Sequence, residues 1–309
     1  MTVSVFIDGA AGTTGLEIRE RLAGRSDLEI VVLDAARRKD ESARREALND
    51  SDFAILCLPD DAARESVRLA EGGRTRLIDA STAHRVADGW TYGFPELTPD
   101  HAARIAEARR VSNPGCYPTG FLALVRPLVD AGLVPADWPL SVHAVSGYSG
   151  GGKAMIAEFD GGGEDTAFRA YALALGHKHV AEMQRHAGLA HPPIFTPAVA
   201  RAYRGMVVEV PLPLHALPGR PTVEAVGETL AQAYAGAALV SVATDQANLV
   251  RIEENAGTDR MTLWVQGDDA AGQARLIATL DNLGKGAGGA AVQNLNLMAG
   301  LDPLAGLVL

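Results

Sequence analysis

The first 115 residues alternate short apolar runs with longer amphipathic stretches. Residues 3–8 form a short apolar run and residues 53–59 a continuous one, which is typical of a parallel strand buried on both faces. Leu16, Ile18 and Leu22 follow the first run with charged residues between them, which predicts an amphipathic helix. Further strands are predicted at 29–34, at 76–81 and near 110–111, and a helix at 61–71. This order of strands and helices predicts a parallel sheet with crossover helices.

From about residue 137 the pattern changes to an alternation of apolar and polar positions. Such alternation is typical of strands with one buried and one exposed face, as in an antiparallel or mixed sheet. Strands are predicted at 140–145, 206–210, 238–243, 249–253 and 261–265, and helices at 223–235, 270–283 and 290–298. We therefore predict an α/β protein with two domains. Residues 1–115 and the closing segment 287–309 form a Rossmann domain, and residues 116–286 form an α+β domain with a mixed or antiparallel sheet.

The turn after the first predicted strand is rich in glycine. Gly9, Gly12 and Gly15 have the spacing G-x-x-G-x-x-G, with Thr13 and Thr14 between the last two. Glycine lets the backbone approach a pyrophosphate closely, and the helix that follows offers its first N–H groups to the phosphates. Because the pattern lies between a strand and a helix, it predicts that these five residues bind a dinucleotide.

The end of the second predicted strand indicates which dinucleotide is bound. Asp34 could bond the ribose 2′-hydroxyl of NAD, whereas Arg37, Arg38 and Lys39 could neutralise the 2′-phosphate of NADP. A basic turn of this kind is often only a solvated one. Three consecutive cations nevertheless stand out in an acidic chain, and the sequence therefore favours NADP(H).

Cys116 lies between a Pro-Gly turn and a predicted helix. Pro114 and Gly115 favour a tight bend, and Pro118 suits the first helical position. A helix N-terminus stabilises the thiolate, which is the nucleophilic form of cysteine. We therefore predict that Cys116 is a reactive nucleophile, the alternative being an inert buried thiol. Pro127 is expected to kink the helix or to end it early.

A thiolate nucleophile needs a partner that moves protons. His177 and His179 are the best candidates, and the sequence does not choose between them; a surface histidine pair is the alternative. An H-x-H pair can also bind a metal ion, but no further ligand follows at a suitable spacing, so no metal site is predicted. Lys178, between the histidines, is a candidate to bind substrate.

Two other stretches carry candidate ligand contacts. Ser81 follows the predicted strand 76–81 at the sheet edge where ligands bind, and is assigned to the cofactor. Residues 146–153 combine glycines, hydroxyls and one cation, which suits an anion such as a phosphate group. The candidate substrate contacts in this stretch are Ser146, Gly147, Ser149 and Lys153. Arg204 could recognise a carboxylate or phosphate by bidentate pairing, or could be a solvated cation.

Composition narrows the functional classes. The 309 residues carry a formal net charge of −10, which argues against a nucleic-acid partner. No apolar run is long enough to span a bilayer and the N-terminus does not resemble a signal peptide, so we expect a cytoplasmic protein without a membrane partner. Cys57 and Cys116 do not make a disulfide framework, and Cys57 falls within a predicted core strand.

Five segments together resemble the N-acetyl-γ-glutamyl-phosphate reductase family in its shorter form. They are residues 9–15, 112–120, 145–153, 176–183 and 284–296, and they span nearly the whole chain. The wider group includes aspartate-semialdehyde dehydrogenase, which shares the two-domain plan. The family commonly has a histidine where this chain has Ala198, so the resemblance assigns no histidine role there.

The resemblance implies NADPH-dependent reduction of a small-molecule acyl phosphate, N-acetyl-γ-glutamyl phosphate, in arginine biosynthesis. It implies a thioester on Cys116, proton transfer by His179 or His177, and a catalytic second domain. A homo-oligomer formed through this domain, either a dimer or a tetramer, is expected because homo-oligomers are the common case. The resemblance also assigns Asn294 to the cofactor and Asn113 to the substrate. Two alternatives are a reductase of another acyl phosphate and a non-catalytic dinucleotide-binding redox sensor.

Overall fold

The computed structural model describes residues 2–163 and 165–309. Its strands in these residues are β1 (Val3–Asp8), β2 (Leu28–Val31), β3 (Phe53–Leu56), β4 (Arg76–Asp79), β5 (Thr91–Tyr92), β6 (Arg110–Ser112), β7 (Ser141–Gly147), β8 (Phe168–Ala170), β9 (Ile194–Ala200), β10 (Met206–Leu212), β11 (Val240–Val242), β12 (Met261–Asp268) and β13 (Gln273–Leu280). Its α-helices are α1 (Thr13–Leu22), α2 (Glu41–Asp50), α3 (Asp60–Leu69), α4 (His101–Glu107), α5 (Cys116–Asp130), α6 (Gly152–Asp160), α7 (Val180–Ala187), α8 (Val223–Ala233) and α9 (Gly289–Ala299).

The chain divides into two compact units. Unit 1 consists of the residues up to Pro95 together with Asp100–Gly115 and Ala287–Leu307. Unit 2 consists of Glu96–Pro99, Cys116–Gly286 and Val308–Leu309. The closing helix α9 therefore belongs to the same unit as the N-terminal strands.

Unit 1 is built on a six-stranded parallel sheet in the order β2-β1-β3-β4-β6-β5. Neighbouring side chains of β1 face opposite sides of this sheet. Val5 and Ile7 pack with residues of α1, α4 and α9, whereas Phe6 packs with residues of α2 and α3. Helices therefore cover both faces, which confirms the predicted doubly wound fold.

Unit 2 contains a seven-stranded mixed sheet in the order β11-β12-β13-β10-β7-β9-β8. The β11–β12 and β7–β9 pairs are parallel and the others are antiparallel. Helix α5 packs against β10 and β13, and its Leu124 and Leu128 are fully buried. In β10, Val208 and Val210 are buried while Glu209 between them is partly exposed. This alternation confirms the predicted mixed sheet.

The predicted helix at 270–283 is wrong, because this segment forms strand β13. Its Ala and Leu content favours a helix locally. Ala274, Leu276, Ala278 and Leu280 are nevertheless buried at a spacing of two residues. The strand pairs along its length with β12 on one side and β10 on the other. Two ladders of hydrogen bonds thus override the local helix propensity.

The predicted strand at 249–253 is also wrong. Residues 251–257 form consecutive turns, in which the N–H of Glu254 donates to the carbonyl of Arg251 and the N–H of Ala256 to that of Glu253. These carbonyls are satisfied locally, so the apolar alternation there does not lead to sheet pairing.

Four smaller details also differ from the sequence expectations. Helix α5 runs through Pro127 and ends three residues later, so the proline does not stop it early. Pro118 is the third helical residue rather than the first, because the helix already begins at Cys116. Cys57 lies just after β3 rather than within it, and the β2 strand ends at Val31, before Asp34.

Candidate active site

Cys116 is the first residue of α5 and is half-buried. Strand β6 ends at Ser112, so only three residues separate it from the helix, and the predicted strand–turn–helix position of the thiol is confirmed. The first N–H groups of a helix and the positive end of its dipole favour a thiolate at this position. The residue is also braced by a neighbouring backbone, since a Cβ built on Gly286 would lie 2.8 Å from the Cβ of Cys116.

Two histidines and two tyrosines form one cluster in unit 2. Tyr117, the next residue after Cys116, accepts a hydrogen bond from the Tyr171 hydroxyl over 3.3 Å. The Tyr171 hydroxyl also lies 3.5 Å from Nε2 of His177. The ring centres of His177 and His179 are 4.7 Å apart, and the His179 ring lies 5.9 Å from that of Tyr117. The fold thus brings both predicted histidines to the residue beside the cysteine.

The two histidines differ in their hydrogen bonds. The backbone N–H of His179 donates to Nδ1 of His177 over 3.1 Å. Burial, and secondly the charge of Lys178, lowers the pKa of His177 from 6.5 to about 4. His177 is therefore neutral near pH 7, and with Nδ1 accepting, its proton is on Nε2. The ring of His179 is buried, whereas the Lys178 side chain is exposed.

The two tyrosines stay protonated in the working pH range. Burial raises the pKa of Tyr171 to about 12, and it raises the pKa of Tyr117 well above its usual range. The negative charge of Cys116 adds to both increases. Both hydroxyls therefore keep their protons and can donate hydrogen bonds, and the pKa of each depends on the charge of Cys116.

The glycine-rich stretch 146–153 is not an open loop. Ser146 and Gly147 complete β7, a single 3₁₀ turn follows, and α6 begins at Gly152. The N–H groups of Gly147, Tyr148 and Ser149 donate to carbonyls of residues 202–205. Three of the backbone N–H groups that were predicted to bind an anion are therefore already hydrogen-bonded within the protein.

The side chains of this stretch have different surroundings. The Ser146 hydroxyl donates to the carbonyl of Gly147 over 3.0 Å. Ser149 is buried, and its hydroxyl accepts from Nδ2 of Asn282 over 2.9 Å. Lys153 is exposed at the start of α6. That these residues bind substrate stays a prediction.

Arg204 is held by a buried carboxylate. Its Nη1 lies 3.5 Å from Oδ2 of Asp281, which is fully buried. The other oxygen of Asp281 accepts from the backbone N–H groups of Leu283 and Gly284. Arg204 is therefore an oriented side chain rather than a freely solvated cation.

The glycine turn of unit 1 fits a phosphate group. Gly9 has φ +89°, and a Cβ there would overlap the backbone carbonyl that follows β3. The N–H of Gly12 donates to the carbonyl of Gly9 over 2.9 Å, and α1 then begins at Thr13 without a side-chain cap. Thr14 and Gly15 complete its first turn. Among the described residues, the buried Oγ1 of Thr13 has no hydrogen-bond partner. An uncapped helix start with a spare hydroxyl is suited to an anion.

Asn294 offers a second unsatisfied group in unit 1. The residue is fully buried, and its Nδ2 donates to the carbonyl of Gly93 and to Oδ1 of Asn113. Its own Oδ1 has no partner within the part of the chain that the structure describes. Nδ2 of Asn113 donates to the carbonyl of Ala287 over 2.9 Å. A buried amide oxygen of this kind suits a bound N–H donor such as a carboxamide.

The basic turn after β2 is exposed. Asp34 Oδ1 accepts from the backbone N–H groups of Ala36 and Arg37, both over 2.9 Å, and so shapes the turn. The Arg37 guanidinium pairs with Glu46 over 3.1 Å, while Arg38 is exposed to solvent. Asp34 is thus committed to the turn itself, which leaves the cations as the groups available to a 2′-phosphate.

The two cysteines have opposite character. Burial raises the pKa of Cys57 to about 12. Its thiol is therefore protonated near neutral pH and is a poor nucleophile. Cys57 is partly buried and packs against the core of the parallel sheet, and it lies just after β3 rather than within a strand as predicted.

Two features of the site were not predicted from the sequence. Tyr171, next to the short strand β8, carries no pattern that distinguishes it from other tyrosines. Asp79 is fully buried and accepts from the Ser81 hydroxyl over 2.7 Å, and its Oδ2 lies 2.5 Å from Nδ1 of His84. This second feature had a signal, because Asp79 and His84 flank Ser81 in the polar loop after β4. Ser81 is thus oriented by a buried carboxylate.

Similarity to known proteins covers nearly the whole chain. The N-acetyl-γ-glutamyl-phosphate reductase 2 of Nostoc sp. is 50% identical over 317 residues, which is 98% of each chain. The N-acetyl-γ-glutamyl-phosphate reductase of Brucella anthropi is 54% identical over 97% of this chain and 99% of its own. The chain belongs to the N-acetyl-γ-glutamyl-phosphate reductase family. The expected resemblance is confirmed.

Two family models match this member of the N-acetyl-γ-glutamyl-phosphate reductase family, and the break between them lies close to the boundary between its two sheets. Residues 4–105 match the NAD binding domain of semialdehyde dehydrogenase. Residues 116–282 match the semialdehyde dehydrogenase dimerisation domain, which begins at Cys116. The chain therefore carries an NAD-binding domain followed by the second domain of the same enzyme group.

Solved structures show the same fold at low identity. Aspartate semialdehyde dehydrogenase II of Vibrio cholerae, in complex with ASA, has a TM-score of 0.72 at 19% identity, over 97% of this chain and 98% of its own. The aspartate semialdehyde dehydrogenase of Candida albicans, solved with NADP, has a TM-score of 0.68 at 14% identity, over 97% and 99%. The reductase family thus shares its fold with the aspartate-semialdehyde dehydrogenases.

Two other classes of site are absent from the described residues of this family member. Across residues 2–163 and 165–309, no helix is both long and apolar enough to cross a membrane. Over the same residues, His, Cys, Asp and Glu side chains do not gather in threes or more around a point where a metal ion could bind.

Proposed function

We propose that this chain reduces N-acetyl-γ-glutamyl phosphate to N-acetylglutamate 5-semialdehyde, with NADPH as the reductant and release of phosphate. The observation that carries the proposal is Cys116 at the first position of a helix, beside a cluster of two tyrosines and two histidines. The names of the relatives at 50–54% identity support this substrate. The reaction is a step of arginine biosynthesis.

The proposal assigns the dinucleotide to unit 1. Residues of the glycine turn would hold the pyrophosphate, namely Gly9, Gly12, Thr13, Thr14 and Gly15. Arg37 and Arg38 would bind the 2′-phosphate, and Ser81 and Asn294 would contact the rest of the cofactor. When bound, the cofactor supplies a hydride. In this assignment, residues 1–115 and 287–309 would form the cofactor domain. Residues 116–286 would form the catalytic domain that binds the substrate.

The Cys116 thiolate attacks the carbonyl carbon of the acyl phosphate and forms a C–S bond. The carbonyl oxygen becomes an oxyanion, which the N–H groups at the start of α5 stabilise, each such donor being worth about 3–4 kcal/mol. As the carbonyl re-forms, the C–O bond to phosphate breaks and phosphate leaves with its electron pair. The product of this half-reaction is a thioester on Cys116.

Reduction of the thioester carbon places negative charge on the same oxygen. Nε2–H of His177 is the donor assigned to that oxygen, because the ring is neutral and its Nδ1 is already bonded to the His179 N–H. His179 is assigned the proton transfers. It takes the proton of the Cys116 thiol before attack and returns a proton when the thiohemiacetal collapses to the aldehyde and the free cysteine.

The remaining polar residues are assigned to the substrate. Arg204, oriented by Asp281, and the exposed Lys178 would bind its negative charges. Further contacts are assigned to Asn113, Ser146, Gly147, Ser149 and Lys153. The protein would act in the cytoplasm, as a homodimer or homotetramer formed through unit 2, in line with the description of the matching dimerisation-domain model.

The reverse reaction tests the proposal most directly. N-acetylglutamate semialdehyde, NADP and phosphate should give NADPH, and omission of phosphate should stop turnover. Aspartate semialdehyde under the same conditions is the comparison substrate. A higher kcat/KM for aspartate semialdehyde would assign the chain to another acyl phosphate, and tight NADPH binding without any turnover would favour the redox sensor.

A further inference from the structure

Lys285 is buried to an extent that is rare for lysine. Its side chain is 1% exposed, and its Nζ lies 2.9 and 2.8 Å from the two carboxylate oxygens of Glu96. The Glu96 side chain is itself only 11% exposed. Lysine is almost never fully buried unless it is paired, so this bidentate ion pair accounts for the burial.

The ion pair is the side-chain anchor of a segment that is otherwise held through its backbone. Lys285 lies in a π-helical turn, Gly284–Gly288, whose other four residues are glycine or alanine. Glycine backbones lose much conformational freedom on folding and have no side chain to hold them in place. Within the turn, Lys285 is therefore the one side chain long enough to fix it to a neighbouring segment.

This turn lies directly against Cys116. A Cβ on Gly286 would be 2.8 Å from the Cβ of Cys116 and 3.0 Å from the carbonyl oxygen of Asp281. The N–H of Gly286 donates to that same carbonyl over 2.9 Å. The backbone at Gly286 thus forms a wall behind the cysteine, and Lys285 is the residue next to it.

Glu96, at the other end of the pair, also acts electrostatically on a tyrosine that is bonded to the helix beginning with Cys116. After burial, the charge of Glu96 is the second cause that raises the pKa of Tyr234. The Tyr234 hydroxyl donates to the carbonyl of Ala123, in α5, over 2.9 Å. The charge of Glu96 therefore acts on a residue whose hydroxyl is bonded to the third turn of the cysteine helix.

We propose that the Lys285–Glu96 ion pair is a positioning device for Cys116, which holds the Gly284–Gly286 backbone against the nucleophile. The inference rests on the proposed function only for the role of Cys116 as nucleophile. Lys285 does not touch the reacting atoms and acts through Gly286. Breaking the pair leaves a buried charge without its partner, so the segments separate to hydrate it and the wall behind the cysteine loosens.

The test compares Lys285→Met, Glu96→Gln and the double variant, with kcat, KM and the rate of Cys116 alkylation by iodoacetamide as readouts. We expect Lys285→Met to lower both kcat and the alkylation rate by up to about 10²-fold, with KM within about twofold, because small displacements of a reacting group cost this much. The double variant buries no charge, so both rates should recover by at least about tenfold.

Two controls separate positioning from loss of stability. Leu212→Ala removes a buried side chain at the end of β10, and it should lower the unfolding temperature without changing the alkylation rate. If Lys285→Met does not fold, the Glu96→Gln variant still tests the proposal, because the glutamine amide oxygen keeps an acceptor for Lys285. We expect Glu96→Gln to slow alkylation of Cys116 by several-fold.

Two results would overturn the proposal. If Lys285→Met folds and keeps the wild-type kcat and alkylation rate, the ion pair does not position Cys116 and has only a structural role. Loss of kcat with normal alkylation, not recovered in the double variant, would make Lys285 a catalytic group. Since alkylation needs no substrate, the comparison of alkylation rates is independent of whether the wild-type chain acts on N-acetylglutamate semialdehyde.

Discussion

The backbone N–H of His179 donates to Nδ1 of His177 over 3.1 Å. This bond fixes the neutral tautomer of His177 with its proton on Nε2, on the side of the Tyr171 hydroxyl. One histidine of the pair is thereby made a hydrogen-bond donor, and the other is left to transfer protons. The sequence, in which the two residues are near neighbours, contains no sign of this division.

The same substitution at each histidine tests the division. Glutamine places an amide N–H near the position of Nε2, so His177→Gln should keep kcat within about tenfold of the wild type. His179→Gln has no titratable group and should lower kcat by roughly 10²–10⁴-fold. The two kcat values under saturating substrate are the measurement, and the opposite order would reverse the assignment.

Stability should depend on pH through His177. Its pKa is lowered to about 4 in the folded chain, against 6.5 when unfolded, so the unfolded state binds this proton first as the pH falls. The stability due to the neutral ring is present above pH 6.5 and is lost between pH 6.5 and 4. Urea unfolding of wild type and His177→Gln across this range should show a shallower loss in the variant. Parallel curves would mean that His177 is not responsible.

Alkylation should distinguish the two cysteines. With a pKa of about 12, Cys57 is roughly 10⁻⁴ thiolate at pH 8, so iodoacetamide should label the folded protein only at Cys116. Activity should fall in proportion to that label. Cys116→Ser should take up no label and lose roughly 10³-fold or more in kcat. Peptide mapping of folded and denatured samples is the measurement, and labelling of Cys57 in the folded protein would contradict its raised pKa.

Gly9 and Gly24 form a matched pair for the dinucleotide turn. Both have positive φ, +89° and +76°, but a Cβ at Gly9 would meet backbone, whereas nothing lies within 4 Å of one at Gly24. Alanine should cost about 1–2 kcal/mol at either position through its positive φ, and at Gly9 the overlap with backbone adds to that cost. Only Gly9→Ala should also raise the Kd for NADPH, by about tenfold or more. A fluorescence titration measures this, and an equal effect of Gly24→Ala would refute a local role.

The exposed cations after β2 should decide between NADP and NAD. Arg37→Ser with Arg38→Ser removes charge-assisted bonds worth about 1.5–3 kcal/mol each, so KM for NADPH should rise at least about tenfold. KM for NADH should stay within about twofold. Arg45→Ser is the control, because Arg45 is an exposed arginine paired with Glu41 on α2. Equal losses with both cofactors would show that the turn does not contact the 2′-phosphate.

Patterns confined to a few neighbouring residues were reliable. The segment from β1 through the glycine turn to α1 occupies residues 3–22, and its strand, turn and helix signals agree with one another. The same holds for Cys116, where the Pro-Gly turn and the apolar helix that follows place the thiol at a helix start. In both places local propensity and tertiary packing demand the same conformation.

Elements defined by distant partners were not predictable in this way. Residues 270–283 favour a helix on their own, and only pairing with β10 and β12 makes them a strand. In the stretch 146–153 the N–H groups of Gly147, Tyr148 and Ser149 are bonded to carbonyls more than fifty residues away, which the local sequence does not indicate.

By itself the sequence determined the doubly wound first domain, the glycine turn and the placement of Cys116, because hydrophobic period and turn chemistry act within about twenty residues. The tertiary structure alone decided which charges are buried and which histidine accepts a bond. A lysine in a glycine run reads as a solvated cation until Glu96, 189 residues away, is packed against it. Burial and electrostatics depend on all the neighbours in space, and those are set only when the chain has folded.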